Sequence, residues 1–207
     1  MSVVAFLVSG VVFGASAGLS PGPLLTLVIR ETLRHGTKEG LKVAAAPLLT
    51  DAPIIALSLL VLARLENARL VLGCLSLAGA LYLAWLSFES LAFKGVAPQT
   101  IPRPPRSWTK GVITNLANPS PYVFWFTIGG PTTLKAASAG LEAVVFFLFA
   151  FYAVLIGSKA AVALAVGRSR FFLKSGIYIF VIRLLGGVLL VYAGIFLSDG
   201  LHYLQIY

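Results

Sequence analysis

The chain has 207 residues, of which 58% are hydrophobic and only 11% are charged. A soluble domain carries about 25% charged residues, so this composition excludes a soluble globular protein and indicates an integral membrane protein. The formal net charge of +9 would fit nucleic-acid binding, but an excess of Lys and Arg in cytoplasmic loops explains it in a membrane protein. The single cysteine, Cys74, excludes an internal disulfide and a cysteine-based metal site.

The first apolar segment contains a break. It starts at Val3, meets no charge until Arg30, and carries Ser-Pro-Gly-Pro at residues 20–23. Each proline removes a backbone donor and clashes with the preceding turn, so an α-helix cannot continue there. At membrane depth such backbone is tolerated only where it is buried in protein or faces a water-filled cavity. We therefore interpret the segment as a retained membrane helix that is broken at a candidate binding site, with a packing kink as the alternative.

Six apolar segments are each long enough, at about 20 residues, to cross a bilayer. They cover residues 3–29, 41–63, 70–93, 112–131, 141–166 and 177–197. In the first, Gly10, Gly14 and Gly18 recur every fourth residue, a spacing that lets another helix approach closely. That helix could belong to the same chain or to a second copy, so a homodimer stays open.

A proline-rich segment divides the chain into halves. We predict a first three-helix repeat at 1–95, a cytoplasmic linker at 96–107 and a second three-helix repeat at 108–207. Because three is an odd number of spans, repeated halves must be inverted relative to each other. The fourth span supports this, since Pro119 and Pro121 again interrupt an apolar run. The predicted fold is an all-α integral membrane protein with six transmembrane helices in two inverted three-helix repeats, the first and fourth helices being broken by Pro.

The basic residues are distributed unevenly between the two sides of this topology. Eleven lie in the first, third and fifth loops: Arg30, Arg34, Lys38, Lys42, Lys94, Arg103, Arg106, Lys110, Arg168, Arg170 and Lys174. Only Arg64, Arg69 and Lys135 lie on the other side. The bias predicts cytoplasmic odd-numbered loops and both termini outside, and it makes nucleic-acid binding unnecessary as an explanation.

Charged residues within the spans are candidates for function. Asp51 lies about ten residues into the second span, which is roughly 15 Å from the cytoplasmic edge. Lys159, Arg183, Pro21 and Pro119 lie at roughly 9–15 Å depth by the same rise per residue, so one polar pocket could collect all five. The alternatives are that both cations snorkel to the headgroups, and that Asp51 forms a structural ion pair with one of them.

The breaks supply further chemistry. A helix that restarts after Pro23 or Pro121 presents N–H groups and a positive dipole end to a carboxylate. The carbonyls before each break can accept from an ammonium group, and Asp51 could hold the same ammonium or a proton. A zwitterion such as an amino acid fits this set. The candidate substrate-binding residues are Ser20, Pro21, Gly22, Pro23, Asn115, Asn118, Pro119, Lys159 and Arg183, and Asp51 is the candidate proton-coupling residue.

Other functions are less well supported by the sequence. The spans contain no nucleophile–histidine pair, carboxylate pair or metal motif, so we predict neither an enzyme nor a cofactor. A cation or metal exporter is an alternative, disfavoured because only one carboxylate lies in the middle of a span and the sequence offers no set of His or Cys ligands. A structural membrane subunit that transports nothing is the other alternative.

Taken together, these motifs resemble the LysE/RhtB superfamily of amino-acid exporters. The resemblance covers essentially the whole chain. It rests on the four residues Ser20-Pro21-Gly22-Pro23, on Gly36-x-x-x-Gly40, on Asp51 and on Asn118-Pro119. It implies proton-coupled efflux of a small amino-acid-like solute across a prokaryotic inner membrane, with the solute, protons and the lipid bilayer as partners.

Two departures from the family pattern affect the pocket. Leu24 stands where family members commonly have Asn. The residues before Asp51 are Ala-Pro-Leu-Leu-Thr, where the family tends to have small residues or glycine. Both changes alter the polarity or the backbone near the break, so the resemblance does not carry the identity of the solute.

Overall fold

The computed structural model describes residues 3–63, 68–92, 106–168 and 176–204, and within them it contains helices and no strand. The helices are α1 Val3–Leu19, α2 Pro23–His35, α3 Thr37–Ala44, α4 Pro47–Ala63, α5 Ala68–Leu91, α6 Ser107–Ala117, α7 Pro119–Phe124, α8 Gly130–Ala139, α9 Leu141–Arg168 and α10 Gly176–Tyr203. A π-helical turn, Trp125–Gly129, joins α7 to α8. Most of the predicted linker lies outside the described residues.

The all-helical prediction is confirmed for the described residues, whereas the six predicted spans stay a prediction. Two stretches of the described chain are long and apolar enough to cross a membrane, Thr37–Leu62 and Leu141–Arg168. The pair α1 and α2 makes a third if the two helices, which are bent by 60°, count as one span. The inverted arrangement of two repeats stays a prediction.

The predicted break in the first span is present. The N–H of Ser20 donates to the carbonyl of Ser16 at 2.8 Å, and α1 ends at Leu19. Pro21 has no N–H to continue the ladder. The backbone turns through extended Gly22, and α2 begins at Pro23, where a missing N–H costs nothing because first-turn donors have no intrahelical acceptor.

After the second break, the helix restarts earlier than the sequence predicted. The helix restarts at Pro119 and not after Pro121. Asn118 is extended, at φ −82° and ψ 122°, as expected for a residue that precedes proline. Its side chain accepts from the N–H of Ser120 at 3.1 Å, and the Tyr122 hydroxyl donates to the freed carbonyl of Leu116 at 3.0 Å.

The glycine stripe of α1 packs on α9 of the same chain. A Cβ added at Gly10 or Gly14 would lie 2.5 Å from the carbonyl oxygen of Phe147 or Phe151. A Cβ at Gly18 would lie 2.9 Å from the carbonyl of Leu155, one turn further along. The spacing of four residues is therefore used within the chain, and it no longer argues for a second copy.

The remaining helices pack around this pair. Helix α5 runs along α10, α2 and α3 contact α6 and α9, and α4 contacts α6 and α8. The largest buried cluster includes Phe6 and Phe13 of α1 and Phe147 and Phe151 of α9, together with Trp125. This packing brings both helix breaks beside α4 and α9, the helices that carry Asp51 and Lys159.

Candidate functional site

A pocket of about 200 Å³ lies where the two broken spans meet. Its lining includes, from the breaks and from the ionisable candidates, Ser20, Pro21, Gly22, Pro23, Asp51, Asn115, Asn118, Ser120, Pro121 and Lys159. Pockets for drug-sized ligands measure about 300–1,000 Å³, so this volume suits a small solute. The structure thus brings most of the sequence-predicted site residues together.

Asp51 is 4% exposed, and neutral groups surround its carboxylate. The Asn115 amide donates to Oδ1 at 2.9 Å and to the Thr50 hydroxyl oxygen at 2.6 Å. The Trp125 indole N–H and the Tyr152 hydroxyl both reach Oδ2 at 3.4 Å. Among the side chains that the structure describes, no cation lies within ion-pair distance of Asp51.

The two carboxylate oxygens of Asp51 are therefore not equivalent. The 2.9 Å bond fixes Oδ1 against Asn115. The 3.4 Å contacts of Oδ2 are longer than the usual 2.7–3.2 Å of N–H···O bonds and 2.5–3.0 Å of O–H···O bonds, so they are weak. Because both contacts are weak, Oδ2 can still take up a proton or accept a shorter hydrogen bond from an ammonium group.

Lys159 binds the carbonyls that the first break sets free. In an unbroken helix, the carbonyls of Ala17 and Gly18 would accept from residues 21 and 22. Pro21 has no N–H, and the extended Gly22 lies beyond the end of α1. The Lys159 ammonium donates to both carbonyls at 3.0 Å. Lys159 is 3% exposed, so it does not snorkel, and it holds the end of α1 with two charge-assisted hydrogen bonds.

The start of α2 also faces the pocket. Gly22, Pro23, Leu24 and Leu25 all line it. No side chain caps the first turn of α2 in the described structure. First-turn N–H groups lack intrahelical acceptors and lie at the positive end of the helix dipole. This turn can therefore receive a carboxylate, whereas α7 is already capped by Asn118.

Comparison with known proteins decides the family. The model of the protein family described as LysE type translocator matches residues 15–199 of the chain. The chain belongs to the LysE type translocator family. It is also 29% identical over 131 residues to the chemotactic transduction protein ChpE of Pseudomonas aeruginosa. This alignment covers 61% of the chain and 64% of that relative. The alignment thus spans less than two thirds of the relative's length. No solved structure matches the chain.

Membership confirms the resemblance found in the sequence. LysE type translocators are membrane transport proteins and not enzymes, and their family implies export of amino acids or similar solutes. The pocket between the breaks is the natural candidate for the translocator's solute site. In the described part of the chain, no group of three or more His, Cys, Asp or Glu side chains is arranged to hold a metal ion.

The structure does not bring Arg183 to the translocator's pocket. Its side chain is exposed on α10 and is not part of the pocket lining. The estimated depth along a span does not determine which face of a helix a residue occupies. Pro119 contributes the backbone start of α7, and its side chain lies outside the described residues.

Sequence reasoning missed the aromatic partners of Asp51. The Trp125 ring stands edge-on to Phe151, with centroids 5.3 Å apart, and is stacked with the Tyr152 ring at 6.3 Å. Glycine follows Trp125 at positions 129 and 130, and a Cβ on Gly129 would collide with the indole ring. The Gly-Gly pair after the second break is a signal that a large side chain packs there.

Glu31 was also missed. Its side chain is fully buried and lies on α2, just beyond the apolar run. It accepts from the Ser107 hydroxyl at 2.8 Å and from the Lys110 ammonium at 3.0 Å and 3.1 Å. Both donors belong to α6, so this ion pair joins the second helix of the first broken span to the first helix of the other.

Proposed function

We propose that this translocator exports a small amino-acid-like solute across a prokaryotic inner membrane by proton antiport with alternating access. The observation that carries the proposal is the environment of Asp51. It is a buried carboxylate, held by neutral donors, in a pocket formed where two broken spans meet. We infer that a solute and a proton compete for this carboxylate.

The solute's ammonium group fits Asp51. Oδ2 carries only long contacts, to Trp125 and Tyr152, and can accept a shorter bond. The break carbonyls were the other predicted acceptors for this ammonium, but in the first span two of them already accept from Lys159. Asp51 is accordingly the principal acceptor.

The solute's carboxylate fits the hydrogen-bond donors of the pocket. Lys159 has three N–H donors and uses two of them on Ala17 and Gly18, which leaves one for an anion. The Ser16 hydroxyl lines the same pocket, is buried, and has no hydrogen-bond partner among the described residues. With the uncapped first turn of α2, these donors match the carboxylate end of a zwitterion.

Antiport follows if a proton and the ammonium group exclude each other at Asp51. A protonated carboxyl no longer attracts an ammonium group, and a carboxylate that is bound to the ammonium no longer needs a proton. Each turnover would then carry a proton one way and a solute the other. A Lys or Arg paired with Asp51 would weaken this competition, so the neutral surroundings of the carboxylate support the coupling role.

The arrangement of helices supports inverted repeats and alternating access. A two-fold relation that exchanges the first and fourth, second and fifth, and third and sixth spans pairs α1 with α6, the helices that precede the breaks, and α2 with α8. It turns the contact of α1 with α9 into that of α4 with α6, turns the contact of α2 with α6 into that of α1 with α8, and leaves the contact of α5 with α10 unchanged. All five contacts are present. We therefore propose repeats over 1–95 and 108–207, with both termini outside from the distribution of basic residues.

The test is transport by purified protein in proteoliposomes, with each proteinogenic L-amino acid labelled and assayed in turn. An imposed proton gradient should drive accumulation of at least one of them. Asp51→Asn keeps the acceptor for Asn115 but removes both the exchangeable proton and the negative charge that binds the ammonium group, so it should abolish gradient-driven accumulation and weaken solute–solute exchange. The matched control is Asp199→Asn, which removes a carboxylate from a surface ion pair with Lys135 and should leave both activities intact.

Two results would contradict the proposal. If Asp51→Asn accumulates solute as well as the wild type does under the gradient, Asp51 does not couple transport to protons. If no amino acid crosses the bilayer faster than in protein-free liposomes, the proposal that the solute is amino-acid-like is wrong.

A further inference from the structure

We propose, resting on the function proposed above, that the solute is a neutral amino acid with an apolar side chain. The inference comes from what remains in the pocket once the two charged ends of a zwitterion have been placed. It is argued from the charges of the lining and from the surface that the lining offers to the side chain of the solute.

The charged groups of the pocket balance. Among the described lining residues, Asp51 is the only acidic side chain and Lys159 is the only basic one. The ammonium and carboxylate groups of a zwitterion use both. A third charge, on the side chain of the solute, would enter a buried site without a counterion, and an unpaired buried charge is strongly unfavourable. A basic side chain would in addition be repelled by Lys159.

The surface beside Asp51 is aromatic. Phe13 and Phe124 meet edge-on at 6.0 Å between centroids, and Phe124 is stacked on Phe151 at 5.2 Å. Phe151 in turn contacts Trp125, whose N–H points to Asp51. All four rings line the pocket. A zwitterion whose ammonium group binds Asp51 therefore has an apolar wall next to its side chain.

The polar groups of the lining lie largely at the breaks. The serine hydroxyls that line the pocket, those of Ser16, Ser20 and Ser120, come from the end of α1, the first break and the start of α7. Within α6 and α4, the Asn115 amide is committed to Thr50 and Asp51. Leu24 stands at the start of α2, so the uncapped turn presents an apolar residue to the pocket. Apolar contact is thus what the site offers to a side chain.

Two matched pairs of solutes test the inference in proteoliposome counterflow. Norleucine and lysine have unbranched side chains of similar length and differ in the terminal ammonium group. Valine and threonine are isosteric and differ in one hydroxyl. We expect norleucine to be exchanged at least about tenfold faster than lysine, and valine at least about tenfold faster than threonine, as a hydrophobic pocket discriminates.

The outcomes separate this inference from the proposed function. Rapid exchange of lysine or threonine, within about threefold of its apolar partner, would overturn the apolar selectivity while leaving amino-acid transport standing. If none of the four amino acids moves faster than in protein-free liposomes, this inference is wrong. If other amino acids also fail to move, the proposed function is wrong with it.

A pair of variants locates the selectivity in the pocket. Leu24 and Leu27 are both buried on α2 and belong to the same apolar cluster, but only Leu24 lines the pocket. Leu24→Asn should lower the valine-to-threonine ratio by about tenfold or more, whereas Leu27→Asn should leave the ratio unchanged. A ratio does not depend on the amount of folded protein. Equal ratios in both variants would overturn the assignment of side-chain selectivity to this pocket.

Discussion

The contact between α1 and α9 makes a quantitative prediction, because two glycines of this helix pair differ sharply in their surroundings. A Cβ at Gly14 would lie 2.5 Å from the carbonyl oxygen of Phe151, about 0.9 Å inside the 3.4 Å at which ordinary contact begins. A Cβ at Gly157, on α9, would meet nothing within 4 Å. Gly14→Ala and Gly157→Ala therefore add the same methyl group, but only the methyl group at Gly14 clashes with a neighbour.

The difference between the two variants isolates the steric cost. Both replace a glycine inside a helix, so both gain up to about 1 kcal/mol in helix propensity and in reduced entropy of the unfolded chain. Only Gly14→Ala must push two backbones apart, and no rotamer change can relieve a contact with a carbonyl oxygen. Overpacking costs about 1–3 kcal/mol. We expect Gly14→Ala to be less stable than Gly157→Ala by that amount.

The same displacement acts on the functional site. The Lys159 ammonium is on α9, and its acceptors, the carbonyls of Ala17 and Gly18, are on α1. Separating the two helices stretches both 3.0 Å bonds, so transport by Gly14→Ala should fall together with its stability.

Unfolding by SDS in mixed micelles, followed by tryptophan fluorescence, measures the free-energy difference, and proteoliposome exchange measures transport. Equal stability of Gly14→Ala and Gly157→Ala would refute the within-chain packing of the glycine stripe. A Gly14→Ala protein that is destabilised as expected but transports normally would refute the link from helix packing to the Lys159 contacts.

Two further predictions concern the ion pair between the broken spans and the topology. Glu31→Gln leaves the Lys110 ammonium without its carboxylate, but the Lys110 side chain is 27% exposed to solvent. We therefore expect the free energy of unfolding in SDS to fall by about 1–3 kcal/mol, which is less than the loss of about 3–5 kcal/mol for a fully buried pair. Glu39→Gln, which breaks an exposed pair, is the control, and equal effects would contradict a structural role for Glu31. In a cysteine-free background, Lys38→Cys should be protected from an impermeant maleimide in intact cells and Ser138→Cys should react, since both positions are exposed and the predicted topology places them on opposite sides. The reverse pattern would invert the orientation.

The helix breaks, and Asp51 as a candidate site residue, were predictable because their causes are local. A proline deletes a donor wherever the chain folds, so Pro21 and Pro119 disrupt their helices irrespective of tertiary contacts. A carboxyl group in an apolar run is conspicuous for the same reason. The position of the second restart was less certain, because Pro119 and Pro121 are both acceptable in a first helical turn.

Residues whose roles depend on helix rotation and pairing were not predictable. Lys159 and Arg183 had similar estimated depths, yet α9 directs one into the pocket and α10 leaves the other exposed. Trp125 and Tyr152 look like ordinary aromatic residues of apolar spans until the π-helical turn and α9 bring them to Asp51. Glu31 lies next to a basic loop in sequence, and only the packing of α2 against α6 supplies its partners.

The position of Lys159 explains how a pocket can hold both an acid and a base without joining them. The sequence suggested that a cation in the spans would pair with Asp51 or avoid the interior, because a buried ammonium group needs a partner. The proline break offers a third solution, since it frees two carbonyls that accept from Lys159. Asp51 then accepts hydrogen bonds from neutral donors, those of Asn115, Trp125 and Tyr152. The prolines thus free the carbonyls that engage Lys159, the cation that would otherwise neutralise Asp51. Repairing the break should accordingly return the Ala17 and Gly18 carbonyls to the hydrogen bonds of the helix and release Lys159 toward Asp51.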